Sequence, residues 1–303
     1  MSKAFSLGVL DVGVLENTIA IVPRLEALGF ARYWVSEHHG EGYIPTPGVA
    51  ATLIIGMTTN IRIGVAGVLL RYQSALAVAQ TYRTLQWLSN GRVDLGVARG
   101  ISHRPQLEAA LLDGRPDLTA EAFGDKVRSV QALVTGRIPA EHPMFGAPVE
   151  PSLDPELGPP PLWVLANSKG AGLFAAKNGL NLSYHNYYGQ DGDEAIKAYI
   201  GEFKPSPELA APNWNVCIDA FVADSEAEAR ARRVIDGTRD AGTAPPNDFF
   251  AGTPAQFDDY LGRIAQKYQT RHVILSSLRG PHDVELQFAS YERAMRCAQK
   301  LWA

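Results

Sequence analysis

The chain has 303 residues, 46% of them hydrophobic and 20% charged, which is the composition of a folded globule and too apolar for a disordered chain. Lys and Arg number 28 against 32 Asp and Glu, so the net charge is −4, without the basic excess of a nucleic-acid or anionic-membrane binder. Two cysteines, Cys217 and Cys297, lie far apart with no CxxC or CxxH spacing, which excludes a disulfide scaffold and a cysteine zinc site.

Short apolar runs alternate with longer amphipathic ones. Phe5–Leu10 reads as a strand, too short before Asp11 for a signal peptide. A helix follows with apolar residues at Leu15, Ile19, Val22, Leu25 and Leu28, ending at Gly29. Arg32–Ser36 is the second predicted strand, Gly48–Met57 a helix of small residues, and Ile61–Leu70 the third strand. Ala75–Leu88 is a helix stopped by Ser89-Asn90-Gly91, Arg92–Ala98 is the fourth strand, and Ala120–Thr135 is helical. Leu162–Ala166, Leu180–Tyr184 and Asn215–Ala223 are strands five to seven, each followed by a helix: Ala171–Asn178, Glu194–Phe203, and Ser225 to about Asp240. Thr253-Pro254 opens a further helix with an N-cap and a first-position proline. His272–Ser276 is the eighth strand, and Asp283–Leu301 is a closing helix.

Eight strand–helix units predict a single (β/α)8 TIM barrel over residues 1–303. A doubly wound nucleotide-binding sheet is the competing architecture, but no GxGxxG follows the first strand. Eight of the 20 prolines fall between Pro139 and Pro161, so that stretch is expected to be a surface excursion between units four and five. No stretch approaches the ~18 uninterrupted apolar residues of a membrane span, and a cytoplasmic protein is expected.

In a parallel barrel the chemistry sits at the carboxyl ends of the strands. The second strand ends in Glu37-His38-His39, where an imidazole can move protons near neutral pH. Adjacent residues point to opposite faces, so both histidines cannot ligate one ion, and His103, His142 and His185 are isolated. A histidine merely hydrogen-bonded to a neighbouring strand is the plainer alternative. The fifth strand ends in Asn167-Ser168-Lys169-Gly170-Ala171-Gly172, leading into a helix whose first N–H groups suit an anion. Arg99, after the fourth strand, would complete a phosphate clamp. Alternatively Ser168 only caps the helix and Arg99 pairs with a carboxylate such as Asp94. Small residues within Gly64–Leu70 make room either for a flat ligand or for tight helix-on-strand packing.

These pieces, in this order, resemble the bacterial luciferase-like flavin monooxygenases. The matching text is Tyr33–His39, Thr59–Gly64, Leu88–Gly100, Trp163–Ser168, Ala175–Leu180 and Gly252-Thr253-Pro254, spanning nearly the whole chain outside the proline-rich stretch and 201–213. Within the family the chain looks similar to single-chain oxidoreductases of secondary metabolism. The resemblance implies a TIM barrel, usually a homodimer, that binds reduced FMN and uses O2 to oxidise a small organic substrate, with a separate flavin reductase as the implied partner. It places the FMN phosphate at Arg99, Ser168, Lys169, Gly170 and Ala171. The ring would lie against the third strand at Ala66 and Gly67, where the family tends to carry a non-prolyl cis peptide. Asn167 would reach the ring or the ribityl chain, and His38 matches the active-site histidine. Two departures stand out: Arg71-Tyr72-Gln73 replaces a proline-containing turn, and Ala98 replaces the reactive cysteine of light-emitting members, which argues against bioluminescence. The chain is shorter than the longest members, so a reduced lid is expected. A deazaflavin-dependent dehydrogenase and a non-catalytic flavin-binding protein are the alternatives on this scaffold. Tyr184, His185, Tyr187 and Tyr188 are expected at the substrate pocket. The Ala75–Leu88 helix, with Tyr82, Leu85 and Trp87, would serve core packing or a dimer face.

Overall fold

The computed structural model describes residues 4–12, 15–40, 44–100, 104–186, 192–239, 249–276 and 283–300. Its elements are β1 (Ser6–Asp11), α1 (Leu15–Leu28), β2 (Arg32–Val35), α2 (Pro47–Met57), β3 (Arg62–Leu69), α3 (Ala75–Leu88), β4 (Val93–Ala98), α4 (Pro105–Leu112) and α5 (Ala120–Thr135). They continue as β5 (Leu162–Ala166), α6 (Lys169–Lys177), β6 (Asn181–His185), α7 (Gly192–Gly201), β7 (Trp214–Val222), α8 (Glu226–Arg239), β8 (Phe249–Gly252), α9 (Pro254–Tyr268), β9 (His272–Ser276) and α10 (Val284–Lys300). Tyr187, Tyr188, His103, Asp240 and Leu301 lie outside the described residues.

β1 to β7 pair in order, all parallel, and β9 joins β7 to β1, so eight strands close a (β/α)8 barrel. Strand alternation divides the core into two layers. Outward residues such as Val9, Val35, Val65, Val97, Val164 and Leu182 are covered by the helices. Inward residues Leu10, Trp34, Ala66, Trp163, Cys217 and Ile274 fill the barrel. Because these strands are buried on both faces, they read as nearly continuous apolar runs. Toward the amino ends of the strands, Asp94 is 1% exposed. It accepts from Arg32 Nη1 at 3.2 Å, from Arg62 Nη2 at 2.8 Å and from Trp34 Nε1 at 3.1 Å.

Two elements escape the sequence pattern. α4 buries no residue, so it has no apolar stripe to read. β8 has four residues and lies outside the closed ring. Asp219 of β7 pairs with Ser276 on one edge and Phe249 on the other, so β8 continues the edge of β7 that β6 leaves. The stretch 136–161 holds no helix or strand. It folds back over the helices: Gln86 Nε2 on α3 donates to Leu157 O at 3.4 Å and Gly158 O at 3.3 Å, and His142 Nε2 lies 2.8 Å from Ser129 Oγ on α5. No described helix is long and apolar enough to cross a membrane.

Candidate active site

The chain leaving β2 divides its polar residues between two directions. Ser36 donates twice to the main-chain oxygen of Asp11, from its N–H at 3.1 Å and from Oγ at 3.0 Å. His38 shares that side, with Nδ1 3.0 Å from Ser36 Oγ, and its N–H donates to Ile44 O at 3.1 Å. Glu37 and His39 form the other pair, with Oε1 2.9 Å from Nε2. The Glu37 carboxylate also accepts from the Leu69 N–H at 3.0 Å and from Gln73 Nε2 at 3.3 Å, which fastens the end of β3 to the end of β2. The two imidazoles therefore serve different partners, as alternation requires. Among the described residues no group of three or more His, Cys, Asp or Glu could hold a metal. Burial, and secondarily the adjacent His39, hold the His38 pKa below the ordinary histidine range.

β3 carries a cis peptide between Ala66 and Gly67, and its register with β4 shifts between Val65 and Val68. The small residues here make room for the protein itself. A Cβ on Gly64 would stand 2.4 Å from Trp34 Cδ1, and one on Gly96 only 2.2 Å from Val65 O. A Cβ on Gly67 would reach the Ala98 nitrogen at 3.1 Å. Tight packing is thus what Gly64 requires, but against an indole inside the barrel rather than against a helix. Ala66 and Gly67 remain as the small pair facing the upper half of β4.

β4 and β5 are neighbours, in register at Val97 and Val164, so Arg99 and the Asn167–Ser168 corner end side by side. Asn167, Ser168, Lys169, Gly170 and Arg99 are all exposed, and Ala171 is half-buried. α6 starts at Lys169, two residues earlier than the periodicity predicts, because Ser168 is its N-cap and accepts from the Ala171 N–H at 3.4 Å. Nothing lies within 4 Å of a Cβ built on Gly170, whereas Gly172 is needed where α6 crosses α7, with Ala195 O 2.7 Å from its Cβ position. Lys169 Nζ lies 3.5 Å from Glu194 in an exposed ion pair. Asp94 does not pair with Arg99, since Arg32 and Arg62 occupy it. Among the described residues no carboxylate pairs with the Arg99 guanidinium. The arrangement is an exposed cation, with no carboxylate partner among the described residues, beside a helix N-terminus, which suits a phosphate.

Across the eight-stranded ring from β2 stands β6. Ser183 turns inward, donating from Oγ to Asn215 Oδ1 at 2.7 Å, and alternation puts His185 on the same face. Burial pushes the His185 pKa down to about 4. Tyr184, expected at the pocket, instead faces outward and is fully buried, with its ring 5.8 Å from that of Tyr268. Arg71 binds Glu108 at 2.6 Å and Asp117 at 2.8 Å, tying the β3–α3 turn to the α4 segment. Ser36, Glu37 and Arg71 are organising residues to which the sequence reading gives no such role. The i, i+2 spacing of Ser36 with His38, and of Glu37 with His39, was the available signal.

The sequence matches the family model for luciferase-like monooxygenases over residues 4–295. The YwcH protein of Bacillus subtilis is 31% identical, over 91% of this chain and 91% of its own. The solved structure of apo-MsnO8 superposes with a TM-score of 0.82 at 25% identity, covering 98% of this chain and 99% of that one. At lower identity the same fold occurs in the oxygenating constituent of 3,6-diketocamphane monooxygenase of Pseudomonas putida, solved with FMN (TM-score 0.70, 17% identity, 96% of each chain). It occurs also in an F420-dependent secondary alcohol dehydrogenase solved with an F420-acetone adduct (TM-score 0.71, 16% identity, 98% and 99% of the chains). A closed parallel barrel with His38, Arg99 and the Asn167–Ser168 corner at the carboxyl ends of its strands, and a family match across nearly its whole length, place this chain among the luciferase-like monooxygenases, a family of flavin-dependent oxidoreductase enzymes.

Proposed function

We propose that the protein is an FMN-dependent monooxygenase that takes reduced FMN from a separate reductase and oxidises a small organic substrate with O2. The observation that carries this reading is the Arg99 guanidinium, exposed and without a carboxylate partner among the described residues, beside the N-terminus of α6. Bound reduced flavin supplies the electron pair with which one oxygen atom of O2 enters the substrate while the other leaves as water. Arg99 binds the phosphate through charge-assisted hydrogen bonds, and the first-turn N–H groups of Lys169 and Gly170, which have no intrahelical partner, add to them. Lys169 contributes charge, since an exposed pair such as Lys169–Glu194 holds it only weakly. Asn167 stands at the same corner to meet the ribityl chain. Ala66 and Gly67 give the ring a surface without bulky side chains. His38, kept neutral at pH 7 by burial, accepts a proton from the reacting groups.

Two exposed apolar helices suit a homodimer. Val49 and Leu53 on α2 and Trp87 and Leu88 on α3 are 70%, 41%, 65% and 46% exposed. Val49 and Leu88 also line a 550 Å³ groove between these helices. Sedimentation of the wild type against Trp87→Glu tests the pairing, and a monomeric wild type refutes it.

Flavin titration followed by fluorescence quenching tests the site. Arg99→Ala should weaken FMN by about tenfold or more, the worth of a hydrogen bond to a charged group, and leave riboflavin, which lacks the phosphate, unchanged. Equal FMN affinity in both proteins removes Arg99 from the site, and no flavin binding at micromolar concentrations overturns the reading. The F420-dependent fold neighbour favours a second reading, a deazaflavin-dependent dehydrogenase. Oxygen uptake with reduced FMN supports the monooxygenase. Binding of the deazaflavin without oxygen uptake supports the dehydrogenase.

A further inference from the structure

The Ser36 hydroxyl has one proton and two neighbours that can take part in a hydrogen bond. Its Oγ lies 3.0 Å from Asp11 O and 3.0 Å from His38 Nδ1. A carbonyl oxygen only accepts, so both contacts are hydrogen bonds at once only when the hydroxyl donates to Asp11 O and Nδ1 donates to Oγ. The lone pairs of Oγ then face Nδ1, and a hydrogen bond forms there only when Nδ1 carries the proton. The Ser36 N–H donates to the same carbonyl at 3.1 Å, and the residue is 5% exposed, so Oγ is kept beside that carbonyl and away from solvent. We propose that Ser36 is a positioning residue that holds neutral His38 as its Nδ1–H tautomer and so makes Nε2 the nitrogen that receives a proton.

The inference rests on the proton-accepting role given to His38 above. When Nε2 takes a proton, the ring becomes an imidazolium with both nitrogens protonated. The Nδ1–H···Oγ bond persists through this change, and Ser36 has no proton to move. His39 is the internal contrast. Its Nε2 lies 2.9 Å from the Glu37 carboxylate, which also accepts from Leu69 and Gln73, so neutral His39 is held as the Nε2–H form. Neighbouring histidines thus have opposite tautomers, each fixed by the residue two positions before it.

The test reads protons on nitrogen in flavin-free protein. Long-range proton–nitrogen spectra of the ¹⁵N-histidine-labelled chain, with His38 and His39 assigned through His38→Gln and His39→Gln, report which nitrogen bears the proton at a pH where both rings are neutral. Wild type should show His38 protonated at Nδ1 and His39 at Nε2. Ser36→Ala should shift the His38 ratio toward Nε2–H by about fivefold, the factor one net hydrogen bond sets, with His39 unchanged. Ser36→Thr, which keeps the hydroxyl, should restore the wild-type pattern. A wild-type His38 protonated at Nε2 overturns the proposal even where the alanine variant fails to fold. Retention of the Nδ1–H form in Ser36→Ala overturns it as well. Because no flavin is present, these outcomes are separate from those of the Arg99 titration: the tautomer can be as stated in a protein that binds no FMN.

Discussion

His185 ties the stability of the barrel to pH in a way that can be worked out beforehand. The residue stands at the end of β6, is 7% exposed, and has its pKa pushed by burial from 6.5 to about 4. In the unfolded chain the imidazole returns to about 6.5. As pH falls below that value, the unfolded state gains a proton that the native state does not take until pH approaches 4. The sign is therefore a loss of stability on acidification, complete near the folded pKa. About 2.5 pH units at about 1.4 kcal/mol each, less the rounding at both ends, amounts to roughly 3 kcal/mol by pH 4. His185→Gln keeps a polar side chain of similar size and removes the titration. Whatever the substitution costs at pH 7, the stability gap between wild type and variant should narrow by roughly 3 kcal/mol between pH 7 and pH 4. His38 and His272, whose pKa values burial also lowers, titrate in both proteins and cancel in the difference. Urea unfolding at stepped pH, followed by the fluorescence of the buried Trp34 and Trp163, measures the gap. Two stability curves that stay parallel within about 0.5 kcal/mol across this range would refute the reasoning and show that His185 takes up its proton in the native barrel.

Asp94→Asn removes the counter-charge of Arg32, whose guanidinium lies 5.0 Å from the Trp163 ring and 5.5 Å from that of Trp34. Breaking one side of a buried pair should lower stability by about 3–5 kcal/mol, read as a fall in the urea midpoint with altered tryptophan emission. Gly172→Val drives a side chain into Ala195 O and should cost about 1–3 kcal/mol by overpacking. Gly170→Ala, two residues earlier on the same helix with open space around it, should be neutral or stabilise by up to about 1 kcal/mol. Equal effects on unfolding at the two glycines would disprove the assignment of Gly172 to the α6–α7 crossing.

Much of the barrel was legible because its strands are buried on both faces, and runs such as Val93–Ala98 and Leu162–Ala166 announce themselves by apolar content. What failed was whatever depends on partners distant in sequence. Arg32 lies 62 residues from Asp94, and Arg62 lies 32 from it, so the choice of these arginines over the nearer Arg99 belongs to the barrel's closure. The Lys169–Glu194 pair joins two different strand–helix units and has no local signature. α4 lacks a buried face, and β8 is held by pairing with β7 instead of by a pattern of its own. Tyr184 was misplaced for a local reason. The sixth strand runs Asn181–His185, one residue later than expected, and its alternation sends Tyr184 under the helices and leaves His185 inside.

The same alternation explains how one short segment both supports the site and equips it. Ser36 and His38 share a side, and Glu37 and His39 share the other. Glu37 gathers the Leu69 N–H and the Gln73 amide, so it fixes the turn that leaves β3 just beyond Ala66 and Gly67. Arg71, between them, fixes the same turn to Glu108 and Asp117 near α4. The wall on which a flat ring would lie is thus braced from β2 on one side and from the α4 segment on the other. Neither brace uses the His38 side of the strand. A carboxylate on that side would pair with the imidazolium and raise the pKa of His38, whereas the Ser36 hydroxyl orients the ring without adding charge. With His38 as the proposed proton acceptor, the division lets the segment anchor its surroundings through Glu37 without placing a carboxylate beside that imidazole.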